Sequence, residues 1–253
     1  MQSPLIEAAR AWAGRVMSEY DAAHDVAHAE RVAALAQQLL ATEHATLLRT
    51  STSAAAGRGA LEALAAVDAE LLVVAALLHD VGDRRYTADG RDALRAELTA
   101  FSFANKLTPQ RLLRLVCIAE GVSFRGETAV LAAAAAGLSP SHRLVMPPAP
   151  PPELAFVQDA DRLDALGATG VMRAFLHAGA HGETVEDTLA YLRGKLLGAL
   201  PMRLKTAAGR AAAVTRLGLV RSFFGQLVAE GAWPAAVPLP EAEGENANER
   251  DAI

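Results

Sequence analysis

Residues 71 to 78 read LLVVAALL, an unbroken apolar run that belongs in a core, and they lead directly into His79 and Asp80. Polar groups buried without partners are strongly disfavoured, so run and dipeptide together constrain any fold this chain adopts. The core must end at something that satisfies an imidazole and a carboxylate. Asp83 follows three positions after Asp80, and Arg84 and Arg85 come next. On a single helix His79 and Asp83 would be i, i+4 neighbours, with Asp80 about 100° round the axis from His79. A divalent cation shared by the imidazole and the carboxylate removes the burial penalty. A buried His–Asp hydrogen-bonded pair, with Asp83 and Arg84 in solvent, is the other solution.

The rest of the chain indicates what surrounds that run. Aromatic residues make up 5% of the 253, alanine is abundant, and strand-like alternation of β-branched residues is hard to find, which predicts an all-α protein. Helices are expected near 4–19, 27–43, 61–82, 89–104, 108–120, 127–137, 152–178 (broken around Gly167 to Gly170), 184–199 and 207–230. A hydrophobic fraction of 52% is ample for a sizeable core. The formal charge of −5 gives no general reason to bind a nucleic-acid polymer or an anionic membrane, so an anionic ligand must be held by a local pocket. A single cysteine, Cys117, excludes an internal disulfide framework and a multi-cysteine zinc site, and it suits a reducing compartment. Glu7 interrupts the N-terminal apolar stretch, and no apolar run approaches ~18 residues, so a cytoplasmic location is expected.

Three stretches break the helical pattern. TLLRTSTSAAAGRG (46–59) reads as a flexible insertion, SPSHRLVMPPAPPP (139–152) as an extended Pro-rich loop, and VPLPEAEGENANERDAI (237–253) as part of a disordered acidic tail. None requires a domain boundary. The expectation is one helical domain over 1–234, followed by a tail over 235–253.

Two further places concentrate polar chemistry. In HDVAHAERV (24–32), His24, His28 and Arg31 have helical spacing that puts them on one face, with Asp25 placed to cap the helix. In AFVQDADRLDALGATG (155–170), an apolar run turns acidic with Asp159, Asp161 and Asp164, and one helix cannot hide all three. On an ordinary surface helix Arg162 would pair with one of them and the others would be solvated.

An HxxRV helix, an apolar helix ending in HD and an apolar helix ending in ADRLD together resemble the HD superfamily of metal-dependent phosphohydrolases. The strings HDxxHxxRV, LLHDxxD, VSFRG and QDADRLDALGA are most similar to small stand-alone bacterial-type HD hydrolases, some of which are nucleoside-triphosphate pyrophosphohydrolases. The resemblance extends over roughly residues 20 to 230. It implies an HD-domain helical bundle holding one divalent metal ion through His28, His79, Asp80 and Asp161, with Asp159 the rival for the fourth position. Mn²⁺ is the first expectation, with Mg²⁺, Co²⁺, Ni²⁺ or Zn²⁺ also suited. It further implies that Asp83 positions or deprotonates the attacking water, and that Arg84, Arg85, Arg125 and Lys195 are the candidate contacts to a phosphorylated small molecule, a nucleotide. A phosphomonoesterase or phosphodiesterase of the superfamily, and a non-catalytic metal-binding regulatory module, are the alternatives.

The chain also departs from that pattern. Relatives commonly carry tryptophan where Val26 stands and a His-Phe pair where Tyr191 and Leu192 stand, both in regions expected to border the substrate pocket. The di-iron oxygenases of the superfamily need additional histidines between the doublet and the last aspartate, and here that interval offers only His142. The GYP signature of the cyclic-dinucleotide phosphodiesterases is replaced by VGDRRYTADG.

Overall fold

Helix starts coincide with side chains able to cap them. In a computed structural model that describes residues 3–50, 55–83, 91–136 and 150–231, Ser3 accepts the Leu5 N–H ahead of α1 (Pro4–Val16), with Pro4 in the first turn. Asp25 accepts the His28 N–H as α2 (Val26–Thr50) begins, as its position in the sequence predicted. Asp68 caps α4 (Ala69–Leu78) through the Leu71 N–H and so separates it from α3 (Ala55–Ala65), dividing the helix expected over 61–82. Then follow α5 (Arg91–Ala104), α6 (Pro109–Val122) capped by Thr108, and α7 (Phe124–Ala135). The chain continues as α8 (Glu153–Asp164), α9 (Gly167–His181), α10 (Val185–Tyr191) and α11 (Ala207–Ala229). No β-strand occurs among the described residues, and the architecture is all-α.

α4 is the axis of this arrangement. It packs against α1, α2, α6 and α8, and all eight residues from Leu71 to Leu78 are buried. Each fully buried leucine or valine contributes about 1.5–3 kcal/mol, so this short helix is held in place by its sides rather than by propensity. α9 and α11 pack on each other and on α8. The break at 165–167, where Gly167 takes φ 74°, is the interruption read from the sequence around Gly167 to Gly170.

Three differences from the expected pattern bear on function. α4 ends at Leu78, so His79 and Asp83 do not share a helix: His79 is the C-cap, and the Asp83 N–H returns to Asp80 O at 3.1 Å in a turn. Gly82 takes φ 71° in that turn, and a Cβ there would lie 2.7 Å from Leu94 N and 2.8 Å from Ala93 C on α5. The chain expected as helix over 184–199 widens after Tyr191 into a π-helix over Leu192–Ala199, with Leu200 N–H donating to Lys195 O at 2.8 Å. Finally, α2 continues as helix through 46–50 and α3 starts at Ala55, so both ends of the stretch read as a flexible insertion are helical. The rest of that stretch (51–54), residues 137–149 of the Pro-rich loop, the tail, Arg84, Arg85 and His142 lie outside the described residues.

Gly82→Ala should therefore combine left-handed strain with a backbone clash and destabilise the fold by about 3 kcal/mol or more, read as a lowered thermal midpoint.

Candidate metal centre

Three elements meet at the end of α4. His28, in the first turn of α2, is fully buried, and His79 is nearly so at the end of α4. Their rings stand edge to face, with centroids 5.2 Å apart. Each ring has one nitrogen accounted for by the protein. His28 Nδ1 lies 2.8 Å from Asp164 Oδ2, and His79 Nδ1 lies 2.8 Å from the Ala76 carbonyl. Both Nδ1 atoms are therefore donors, which leaves the lone pair of each ring on Nε2. His28 Nε2 and His79 Nε2 are buried and have no hydrogen-bond partner.

Those two nitrogens face the same pair of carboxylates. Asp80 Oδ2 lies 3.5 Å from each of them, and Asp161 Oδ1 lies 3.5 Å from His28 Nε2 and 3.8 Å from His79 Nε2. Ligand atoms bonded at about 2.0–2.2 Å to one tetrahedral ion are separated by roughly 3.3–3.6 Å, so these nitrogen–oxygen separations are near the spacing a single divalent ion requires, and one ligand atom from each of His28, His79 and Asp80 lies within 4.8 Å of the other two. Two imidazoles and two carboxylates form a borderline donor set, suited to Mn²⁺, Co²⁺, Ni²⁺ or Zn²⁺ and acceptable to Mg²⁺. Two buried ring nitrogens without a partner are the feature that such an ion would satisfy.

Asp164 organises this site although its own oxygens are directed elsewhere. It accepts from His28 Nδ1, from Arg31 Nε at 2.8 Å and Nη2 at 3.1 Å, and from Arg173 Nη1 at 2.9 Å. Burial raises its pKa, but the hydrogen bonds from His28 and Arg31 and the charges of His28 and Arg173 win and hold it well below the usual carboxylate range. Burial likewise opposes charge on His28, yet the Asp161, Asp164 and Asp80 carboxylates around its ring outweigh burial and raise the imidazole to about 10. Asp161 is lowered despite burial, first by the facing His28 ring. With no ion present, positive charge on the imidazole offsets the crowded carboxylates. The sequence reading assigned Asp164 no role. Its signal was the shared face of His28 and Arg31 together with an acid one turn after Asp161.

The remaining candidates have distinct positions. Asp159 is fully buried on another side of α8, where it accepts from Lys205 N at 2.8 Å, Thr206 N at 2.7 Å and Thr206 Oγ1 at 2.8 Å, so it joins α8 to the start of α11. Burial pushes its pKa up, against those hydrogen bonds. Arg162, expected to pair with a neighbouring aspartate, is buried with Nη1 4.0 Å from Asp159 Oδ1, and it also donates to Glu127 at 2.7 Å and to the Arg203 carbonyl. Asp83 is half-buried in the turn after the doublet, where the Tyr20 hydroxyl accepts the Gly82 N–H at 3.0 Å. Burial raises the Tyr20 pKa, with Asp83 and Asp80 adding to the shift, so both acids lie near the phenol. Lys195 Nζ lies over two aromatic faces, 5.0 Å from the Tyr191 centroid and 5.3 Å from that of Phe124. Arg125 is exposed beside Phe124. Of the three positions expected to border the pocket, Val26 is partly buried against the core, Tyr191 is exposed, and Leu192, where the π-helix begins, is fully buried in the core.

Comparison with known proteins gives the same fold and the same region. Residues 17–137 match the HD-CE family model. The chain is 27% identical over 227 residues to the uncharacterised protein YpgQ of Bacillus subtilis, covering 87% of this chain and 91% of YpgQ. The crystal structure of YpgQ in complex with ADP is similar with a TM-score of 0.58 at 25% identity, covering 89% of this chain and 97% of that one. A Lactobacillus plantarum protein superimposes with a TM-score of 0.64 at 22% identity, covering 91% and 98% of the two chains. A Bacillus thuringiensis protein described as an HD-superfamily hydrolase gives 0.58 at 22% identity, covering 90% and 97%.

Two adjacent acids on α8 should behave oppositely when changed. Asp159→Ala should lower stability by about 2–4 kcal/mol in a denaturant titration while retaining the metal. Asp161→Ala should weaken metal binding by roughly a hundredfold or more in calorimetry with little loss of stability. The raised His28 pKa also sets a pH window in metal-free protein. Its stabilising charge is fully present below about 6.5 and is lost as pH rises through about 10, whereas metal binding needs the neutral ring. Metal affinity should therefore rise across that window, with proton release detectable in buffers of different ionisation enthalpy.

Proposed function

We propose that the chain is a metal-dependent phosphohydrolase acting on a nucleotide, and that the reaction it serves best is hydrolysis of a nucleoside triphosphate to the monophosphate and pyrophosphate. The observation that carries this reading is the pair of buried, partnerless nitrogens, His28 Nε2 and His79 Nε2, facing Asp80 and Asp161. The similarity to a protein described as an HD-superfamily hydrolase supports the reaction class, and the YpgQ complex with ADP supports a nucleotide as ligand.

His28, His79, Asp80 and Asp161 would hold the ion, which when bound supplies Lewis acidity and lowers the pKa of water. Asp83, carried in the rigid turn closed by Gly82 and Tyr20, takes the proton from the attacking water. Attack at the α-phosphorus forms a new P–O bond and breaks the bridging α–β bond, with pyrophosphate leaving. Negative charge grows on the phosphoryl oxygens in that step and needs cations already in place. Lys195, held between Tyr191 and Phe124, and Arg125 next to Phe124 are the residues assigned to it, together with Arg84 and Arg85. Asp164 acts only through His28, keeping Nε2 as the ligand atom.

The test is a nucleotide panel assayed with chelator-treated protein reconstituted separately with Mn²⁺, Mg²⁺, Co²⁺ or Ni²⁺, with the product identified as phosphate, pyrophosphate or triphosphate. Pyrophosphate release that stops on chelation is expected. Asp83→Ala should retain its metal and lose about 10²–10⁴-fold in kcat. Equal turnover in that variant would remove Asp83 from the mechanism, and no metal-dependent product from any nucleotide would sink the assignment.

A further inference from the structure

A second group of metal-type ligands lies beside the first and shares no side chain with it. Asp21 and His24 sit in the segment before α2, and His177 sits on α9. One ligand atom from each lies within 4.8 Å of the other two. Asp21 Oδ1 is 3.2 Å from His24 Nδ1, and Asp21 Oδ2 is 3.1 Å from His177 Nδ1. His181, one turn further along α9, brings its Nδ1 to 4.0 Å from Asp21, with its ring centroid 4.1 Å from that of His177. Three imidazoles thus gather around one carboxylate.

We infer that Asp21, His24 and His177 form a second divalent-cation site of the zinc class, with His181 outside it because its Nδ1 donates to the His177 carbonyl at 2.9 Å. Two observations carry this. One ligand atom from each residue lies within 4.8 Å of the other two, and the two Asp21 oxygens face one ring each, Oδ1 at 3.2 Å from His24 Nδ1 and Oδ2 at 3.1 Å from His177 Nδ1, near the roughly 3.3 Å between ligands bonded at about 2.0 Å to a tetrahedral ion. The cluster is held by its own scaffold: Ala23 N–H and His24 N–H donate to Asp21 Oδ1 at 2.8 and 3.1 Å, and Arg173 Nε, one turn before His177, donates to the Ala23 carbonyl at 2.7 Å. Binding replaces each Nδ1–H···O contact by an Nδ1–metal bond, with the ring proton on Nε2 or released.

The two sites are neighbours. The His24 and His28 rings meet edge to face with centroids 6.1 Å apart, and because no ligand is common the ions would not be bridged. A second ion would join the segment from Tyr20 to Asp25 to α9, and so brace both the entry to α2 and the tyrosine that supports the Asp83 turn.

Zinc stoichiometry tests this without reference to substrate or turnover. Untagged full-length protein, stripped by chelator and titrated with Zn²⁺, should bind two equivalents by calorimetry and by metal analysis after gel filtration. His177→Gln should lose one equivalent, His79→Gln the other, and the double variant both. A folded His177→Gln that binds as much zinc as the wild type overturns the proposal. Should that variant fail to fold, diffraction from the zinc-soaked wild-type protein at the zinc edge decides. A second anomalous peak between Asp21 and His177 supports the site, and a lone peak at His28 and His79 overturns it.

Discussion

The carboxylate of Asp164 joins three helices and the loop before α2 at one buried point. It sits at the end of α8, takes His28 and Arg31 from α2, and takes Arg173 from α9, which in turn holds the Ala23 carbonyl. A buried carboxylate is costly unless every lone pair is met, and here Nδ1 of one imidazole and the nitrogens of two guanidiniums meet them. The same contacts that make this acid tolerable in the core also fix which nitrogen of His28 carries hydrogen. Structural and chemical roles are thus inseparable at Asp164. Its removal would loosen α2, α8 and α9 and free the His28 ring together.

Around that point the fold presents ligands from helix ends. His79 is at the C-cap of α4, Asp80 and Asp83 are in the turn beyond it, and His28 is in the first turn of α2. Rigid helices packed on all sides position such groups more accurately than loops can. The consequence is a local conflict, two buried imidazole nitrogens with no protein partner, both facing Asp80 and Asp161. The apolar burial of α4 stabilises the fold enough to tolerate it. A bound ion would turn that defect into folding free energy.

Much of this was legible in the chain. The alanine-rich, aromatic-poor composition yielded the helical class, and the Pro, Gly, Asp and Thr residues that punctuate it gave most boundaries. The HD doublet and the ADRLD string pointed to residues that the structure brings together. Errors occurred where a side-chain hydrogen bond or a backbone conformation overrode periodicity. Asp68 divided a continuous apolar pattern, the chain left the helix at His79 for a turn with Gly82 at positive φ, and a π-helix replaced the α-helix expected after Tyr191. Asp161 was favoured over Asp159 from the ADRL string, but Asp159 could not be set aside, because the two positions of QDAD differ only in which side of α8 they occupy and what meets them there. Lys205 and Thr206, more than forty residues away, receive Asp159.

By itself the sequence determined that this chain is helical, that the 71–78 run must be central, and that a histidine and an aspartate must be accommodated at its end, because hydrophobic periodicity and the cost of burying polar groups are local properties. Only the tertiary structure decided which nitrogen of each histidine is turned toward the carboxylates, which aspartate of α8 joins them, and that Asp21 and two histidines of α9 converge beside His24. Most of those outcomes depend on contacts between residues far apart in the chain, such as His28 with Asp164 and Asp21 with His177, and no spacing along the chain encodes them.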